Sequence, residues 1–324
     1  MSRSLSVAKG VLAAIALFAS STFTVAKDYP TKPIKILVPY TAGGMSDILT
    51  RVIAESLKQQ LGQPVLVENK PGAATTLAAA SLVSAPADGY TIMLGSSSST
   101  AISPLLMKNL NYTPSDLVPV AMIGKVPYVL VASKNFAPNT VKELIDYAKA
   151  HPGEVNFATH GKGAAAHLTG EVFRMKTGID IRPVHYPGSA QGTLDMIGGR
   201  VQLMFDGAAT GLANSKSGQI KAISMGSDKR VPSAPELPTW KEDGVDFSAY
   251  TWYALFVKKG TPQDVIEKLH NAVMVALKSP AYVERMKAGE GEVGTLTLDE
   301  IPPFVAQDAA VWTDAVKALN LEAQ

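Results

Sequence analysis

Residues Ile34–Leu61, "IKILVPYTAGGMSDILTRVIAESLKQQL", decide how this chain is read. Ile34 to Val38 is an apolar run with strand character. From Ser46 to Leu61, the apolar positions Ile48, Leu49, Val52, Ile53, Leu57 and Leu61 keep helical spacing. Two glycines, Gly43 and Gly44, sit at the junction. A strand feeding a helix through a glycine turn is half of a βαβ unit. The first turn of such a helix has unpaired N–H groups at a positive dipole end, and these hold a phosphate or carboxylate without a charged side chain. No Gly-Lys-Ser/Thr follows, so this is not a Walker loop, and the third glycine of a dinucleotide turn is missing. Ser46 is placed to cap the helix and Asp47 suits its first turn. A purely structural turn and cap remains open at this point.

The pattern continues on both sides of "PVLVEN" (64–69): an alanine-rich helix follows around 73–84, then "YTIMLGSS" (90–97). This βαβαβ order predicts a parallel sheet covered by helices. A second set follows. Helices are expected at 141–150, 164–177 and 190–198, and strands at "EVNFAT" (154–159), "DIRPVHY" (180–186), "VQLMFD" (201–206) and "QIKAISMG" (219–226). The Pro-rich "RVPSAPELPTW" (230–240) reads as a surface loop, and helices at 262–278, 280–287 and 298–319 close the chain. Two long apolar stretches, near 118–132 and 247–258, lie where one set gives way to the other. They are expected to cross between two α/β lobes: residues 27–122 with 255–324, and 123–250. Ligands of such folds bind outside the carboxyl ends of the strands, here between the lobes.

The 324 residues are 18% charged and 46% hydrophobic, a globular composition with room for two lobes. Cysteine is absent, which removes disulfides, thiolate metal sites and cysteine nucleophiles. "MSRSLSVAK" is basic, "GVLAAIALFAS" is a short apolar core and "TFTVA" ends on small residues; together they predict a secretory signal peptide, 1–26, cleaved after about Ala26. Its loss removes Arg3 and Lys9 and takes the formal charge from +2 to 0. A neutral mature chain argues against nucleic acid and against an anionic membrane surface as partners. No later apolar run reaches the ~18 residues of a membrane span.

Other strand ends carry candidate site residues. "THGKGAAA" formally matches G-x-G-x-x-A from Gly161 to Ala166, but the next strand ends in Tyr186-Pro187 where an acidic residue would be needed, so no dinucleotide and no other cofactor is expected. The same turn offers N–H groups, the Thr159 hydroxyl, His160, Lys162 and Gly163 to an anion. Ser96, Ser97, Ser98 and Ser99 offer hydroxyls after the third strand; without a G-x-S-x-G elbow they argue only weakly for a serine hydrolase. Asp206 either meets a ligand or caps the following helix. The five histidines lack H-E-x-x-H spacing, and no metal site is expected. Trp252 and Tyr253 either line a cleft or pack a hinge.

The order and spacing of these segments resemble the Bug-type substrate-binding proteins of tripartite tricarboxylate transporters. The resemblance runs from "YPTKPIKILVPYTAGGMSDILTRV" through "APADGYTIMLGSSSS", "HPGEVNFATHGKGAAAHLTGEVF" and "VHYPGSAQGTLDMIGGRVQLMFD" to "YALFVKKGTP". It implies a type II-like periplasmic binding protein fold, two parallel-type sheets joined by crossing strands that close over a ligand. It also implies a non-enzymatic, monomeric receptor that passes a small carboxylate to integral membrane subunits. By that resemblance, Tyr40, Thr41, Ala42, Gly43, Gly44, Met45, Ser46 and Asp47 form one jaw and Thr159 to Gly163 the other, with Ser96 to Ser99 and Asp206 completing the cleft. The family usually has a smaller residue where this chain has Met45, and Ser/Asn-Gly where it has His160-Gly161. A mono- or dicarboxylate, aliphatic or aromatic, is the expected ligand. A ligand-sensing module for a signalling system is the alternative role.

Overall fold

A computed structural model describes residues 29–323, so the expected signal segment lies outside the described residues. Strand β1 (Ile34–Val38) buries every residue but Lys35, as a strand covered on both faces does. Helix α1 (Met45–Leu61) buries Leu49, Ile53 and Leu57 on one face and stops at Gly62, whose φ of 68° suits a left-handed cap. β2 (Val65–Asn69), α2 (Thr76–Ser84) and β3 (Thr91–Gly95) follow, with β1 parallel to both β2 and β3. A π-helical turn, Ser98–Ile102, runs into α3 (Ser103–Leu106) and then to β4 (Leu117–Ser133).

The second set consists of α4 (Val141–Ala150), β5 (Val155–Thr159), α5 (Ala165–Thr177), β6 (Ile181–His185), α6 (Ser189–Ile197), β7 (Leu203–Gly207), α7 (Ala208–Lys216) and β8 (Ile220–Met225). β5 is parallel to β6 and β7. The chain returns through β9 (Tyr250–Lys258), α8 (Gln263–Leu277), α9 (Pro280–Ala288), β10 (Glu292–Val293) and α10 (Ile301–Ala318).

The two expected sheets are continuous through β4, and the strand order is β2-β1-β3-β9-β4-β7-β5-β6. At roughly 3.3 Å per residue, the 17 residues of β4 extend about 55 Å, enough to serve both halves. Leu117 to Pro127 pair antiparallel with β9; Tyr128 to Ser133 pair antiparallel with β7 and β8. Register shifts after Pro119, Met122 and Leu130 let this long strand bend. One apolar cluster runs through both halves, joining Ile36, Leu49, Leu94 and Leu269 to Val131, Met204 and Leu212; a second, with Phe157, Phe173, Phe205 and Trp240 in edge and tilted contacts, lies within the second set. Trp312 and Val316 of α10 pack with Ile102 on one side of the cleft and Ala165 and Leu168 on the other.

Candidate functional site

The carboxyl ends of β1, β3, β5, β6 and β7 surround one cavity of about 40 Å³. Four helices begin at its wall: α1 at Gly44, Met45 and Ser46, α5 at Ala164 to Ala166, α6 at Gly188 and Ser189, and α7 at Gly207. At none of the four does the N-cap side chain accept a backbone hydrogen bond, whereas α4 and α9 are capped by Thr140 and Ser279. Glycine or alanine at each N-cap is the local cause, since neither has an oxygen to offer. First-turn N–H groups and positive dipole ends therefore converge on a small enclosed space, an arrangement whose chemistry suits an anion.

Hydroxyls and two titratable groups complete the wall. The Ala165 N–H donates to Ser98 Oγ at 3.0 Å. The Tyr40 hydroxyl and Ser96 Oγ are 3.0 Å apart. Burial raises the pKa values of Tyr40, Tyr128 and Tyr253, so these phenols remain protonated donors. His160 Nε2 lies 3.7 Å from Asp206 Oδ1 and has no hydrogen-bond partner. Burial pulls the His160 pKa down, opposed by Asp206, which leaves a neutral imidazole. Burial pushes the Asp206 carboxyl up, opposed by His160 and by the Thr210 hydroxyl, which donates to Oδ2 at 2.6 Å. Asp206 is not the cap of α7, whose N-cap is Gly207; it lines the cavity and accepts from the Thr210 side chain in the helix's first turn.

Of the residues expected from sequence, the cavity brings together Tyr40, Thr41, Gly44, Met45, Ser46, Ser98, His160 and Asp206. Others stand behind this wall or beside it. Ala42 is exposed, and Gly43 takes the left-handed φ of 87° that makes the turn. The expected Ser46 cap does not form. Instead Asp47 reaches back: its Oδ2 accepts from the Gly43 N–H and from Arg51 Nε, each at 3.0 Å, and its Oδ1 from Asn69 Nδ2 at 2.9 Å. An aspartate at the third helical position can reach the residue before the N-cap, which a shorter serine one position earlier does not do here. Ser99 bonds within its own turn, Ser97 is buried beneath it, and none of the hydrogen bonds recorded for Ser96 to Ser99 among the described residues involves a histidine. The Thr159 hydroxyl is buried without a partner, and Gly161 faces Ala74. Lys162 and Gly163 line a separate pocket with Leu106, Met107 and His167.

Sequence reading missed half of the wall. Gly188-Ser189 is a third strand–glycine–helix junction, hidden by the absence of a second glycine. Tyr128 and Thr251 come from the crossing strands, where only apolar character is legible. Trp252 and Tyr253 divide the two expected roles: strand alternation turns Tyr253 into the cavity and Trp252 against Phe304.

Residues 49–321 match the model of the TctC family, described as the tripartite tricarboxylate transporter family receptor. The chain is 36% identical over 295 residues, 90% of each chain, to Protein BugT of Bordetella pertussis. Among solved structures, it resembles Rpa4515 of R. palustris with adipate, at 30% identity and a TM-score of 0.88 over 92% of this chain and all of that one. It also resembles MatC of Rhodopseudomonas palustris with bound malate, at 28% identity and a TM-score of 0.85 over 89% of this chain and all of that one.

Proposed function

The chain belongs to the tripartite tricarboxylate transporter receptor family, a family of receptors and not enzymes, and from that premise we propose that it captures a small carboxylate in the periplasm and delivers it to membrane subunits of such a transporter. The observation that carries the ligand class is the convergence of four N-termini without side-chain caps on one cavity. Backbone N–H groups grip a carboxylate in fixed geometry, and no buried counter-charge has to be desolvated first. The adipate and malate bound by two structural relatives are of the same chemical class.

In this reading one lobe comprises residues 27–122 and 255–324 and the other 123–250; they close about the stretches 118–132 and 247–258 when the ligand bridges both. The receptor acts as a monomer. Ala42, Gly43, Asp47, Ser96, Ser97, Ser99, Thr159, Gly161, Lys162 and Gly163 support or flank the grip made by the cavity residues.

Calorimetric titration of the mature protein with aliphatic and aromatic mono- and dicarboxylates tests the ligand class. Saturable binding of at least one acid is expected, with none for neutral sugars. Binding of sugars alone would overturn the reading. Deleting the gene should abolish uptake of the bound acid; intact uptake would reject delivery.

A further inference from the structure

Asp308 and Trp312 lie four residues apart in α10, so one helix face carries both. Trp312 Nε1 donates to Asp308 Oδ1 at 3.2 Å. The other oxygen, Oδ2, is buried and completes no hydrogen bond, and neither does the buried Trp252 Nε1 of β9. Burial raises the Asp308 pKa, and the Trp252, Ser97 and Trp312 donors beside the carboxyl oppose that rise. A carboxyl group drawn out of water with one oxygen unpaired costs free energy. A neutral side chain of similar volume fills such a space without that cost. Fold stability therefore gives no reason for an aspartate at this position.

Its neighbours give one. Ser97 is buried and directly precedes Ser98, whose Oγ accepts the Ala165 N–H at the cavity wall. Trp312 packs against Ile102, from the same turn as Ser98, and against Ala165 and Leu168, from the opposite half. The Asp308 carboxyl thus stands beside the residue that precedes the acceptor. It also holds the indole that packs on the residue carrying the donor.

We propose that Asp308 is a positioning residue of the ligand grip, holding the Ser97–Ser98 turn and the Trp312 indole in register from outside the cavity and so setting the Ala165–Ser98 pair against the bound carboxylate. This inference rests on the receptor reading above. It gives α10 a part in binding although Asp308 does not line the cavity.

The test is calorimetry on the mature protein with the tightest binder among adipate, malate and benzoate. Asp308→Ala should weaken binding about two- to tenfold, the effect of one hydrogen bond lost through its support. Asp308→Asn keeps the shape and one acceptor oxygen, and should recover part of the loss. Asp314→Asn, exposed on the same helix, should leave affinity unchanged. Two readouts separate positioning from stability. Tm should hold or rise in both Asp308 variants while affinity falls. Asp308→Ala should also cost little further affinity in a Ser98→Ala background, because both changes act through one pair. Tm falling in parallel with affinity in both Asp308 variants would make the residue structural and overturn the inference. Unchanged affinity in Asp308→Ala, or losses that add in full in the double variant, would overturn it too, and each of these leaves the receptor reading standing. Failure of every mono- and dicarboxylate to bind the natural chain would overturn both.

Discussion

The Ala165 amide, in the first turn of α5, donates to Ser98 Oγ at 3.0 Å across the cleft. One half of the sheet supplies the acceptor, on the turn after β3, and the other supplies the donor. Under the proposed closure of the two lobes, this bond forms only when the halves meet, so it would favour the closed state. Ser98→Ala removes it and leaves an N–H at the cavity wall. A net contribution of about 0.5–1.5 kcal/mol corresponds to a roughly two- to tenfold loss of ligand affinity. Calorimetry reads the affinity, and small-angle scattering reads closure with saturating ligand. An unchanged affinity would remove the latch role from this pair.

Gly43 and Gly44 look equivalent in sequence and differ in structure. Gly43 has a φ of 87° with open space where a Cβ would go, so Gly43→Ala is a backbone problem and should cost about 1 kcal/mol of stability. Gly44 has an ordinary φ of −77°, and its Cβ would meet Thr41 O at 3.9 Å and Ser189 Oγ at 4.0 Å. Gly44→Ala should therefore fold normally. Gly44→Val sends methyl groups further into the cavity and should abolish carboxylate binding with little change in Tm. Retained affinity in the valine variant would mean that this turn is only structural.

Asp47 organises the same turn from outside the cavity. Burial works to raise its pKa, but the Arg51, Gly43 and Asn69 donors outweigh burial and hold it below the usual carboxylate range. A depressed carboxylate stabilises the fold above its unfolded pKa, and that contribution is lost as pH falls through the folded value. Asp47→Ala should cost about 1–3 kcal/mol in denaturant unfolding at neutral pH and weaken binding through the loosened turn. A variant as stable as the natural chain would show that Gly43 holds its conformation unaided.

His167 tests the opposite jaw. Its pKa is lowered to about 4 by burial first, then by His185 and Lys162. Glu171 Oε1 lies 3.8 Å from its Nε2, while its Nδ1 accepts the Gly163 N–H at 3.2 Å. A depressed histidine favours the fold above its unfolded pKa of about 6.5, and this is lost as pH falls toward 4. Stability should drop by about 3 kcal/mol over that window, and His167→Gln should flatten the drop. An identical pH profile in the variant would place the loss elsewhere.

What the sequence made legible follows from periodicity and turn chemistry. The strand–turn–helix units stand out because apolar spacing changes at a glycine; Gly44, Ser46, Ser98, His160 and Asp206 of the cavity lie at such strand ends, and the family resemblance adds Tyr40, Thr41 and Met45. Ser189, Tyr128 and Thr251 escaped because their role depends on which strands become neighbours, a property of β4 pairing with both β7 and β9 that no local pattern encodes. The resemblance sets Asp47 in the jaw, while the residue pattern alone sets it in the helix's first turn; charge at a helix start reads the same in either role. Only the positions of Arg51 and Asn69 separate the two.

The pair His160 and Asp206, 3.7 Å apart, should make carboxylate binding sensitive to pH. The imidazole is neutral because burial lowers its pKa, against the pull of Asp206. A carboxylate arriving at the neighbouring N-termini adds a second negative charge close to that ring and raises the pKa in the complex. The complex then holds more proton than the free protein. Affinity must rise as pH falls from the bound-state pKa toward the free-state one, with a slope of at most one proton. Over the pH range in which the ligand itself stays ionised, the association constant should climb as pH falls. Titrations in buffers of different ionisation enthalpy should report uptake of up to one proton. His160→Gln keeps a side chain of similar size without the titration, and it should make both effects vanish. A pH-independent affinity in the natural chain would place the bound anion too far from His160 to perturb it.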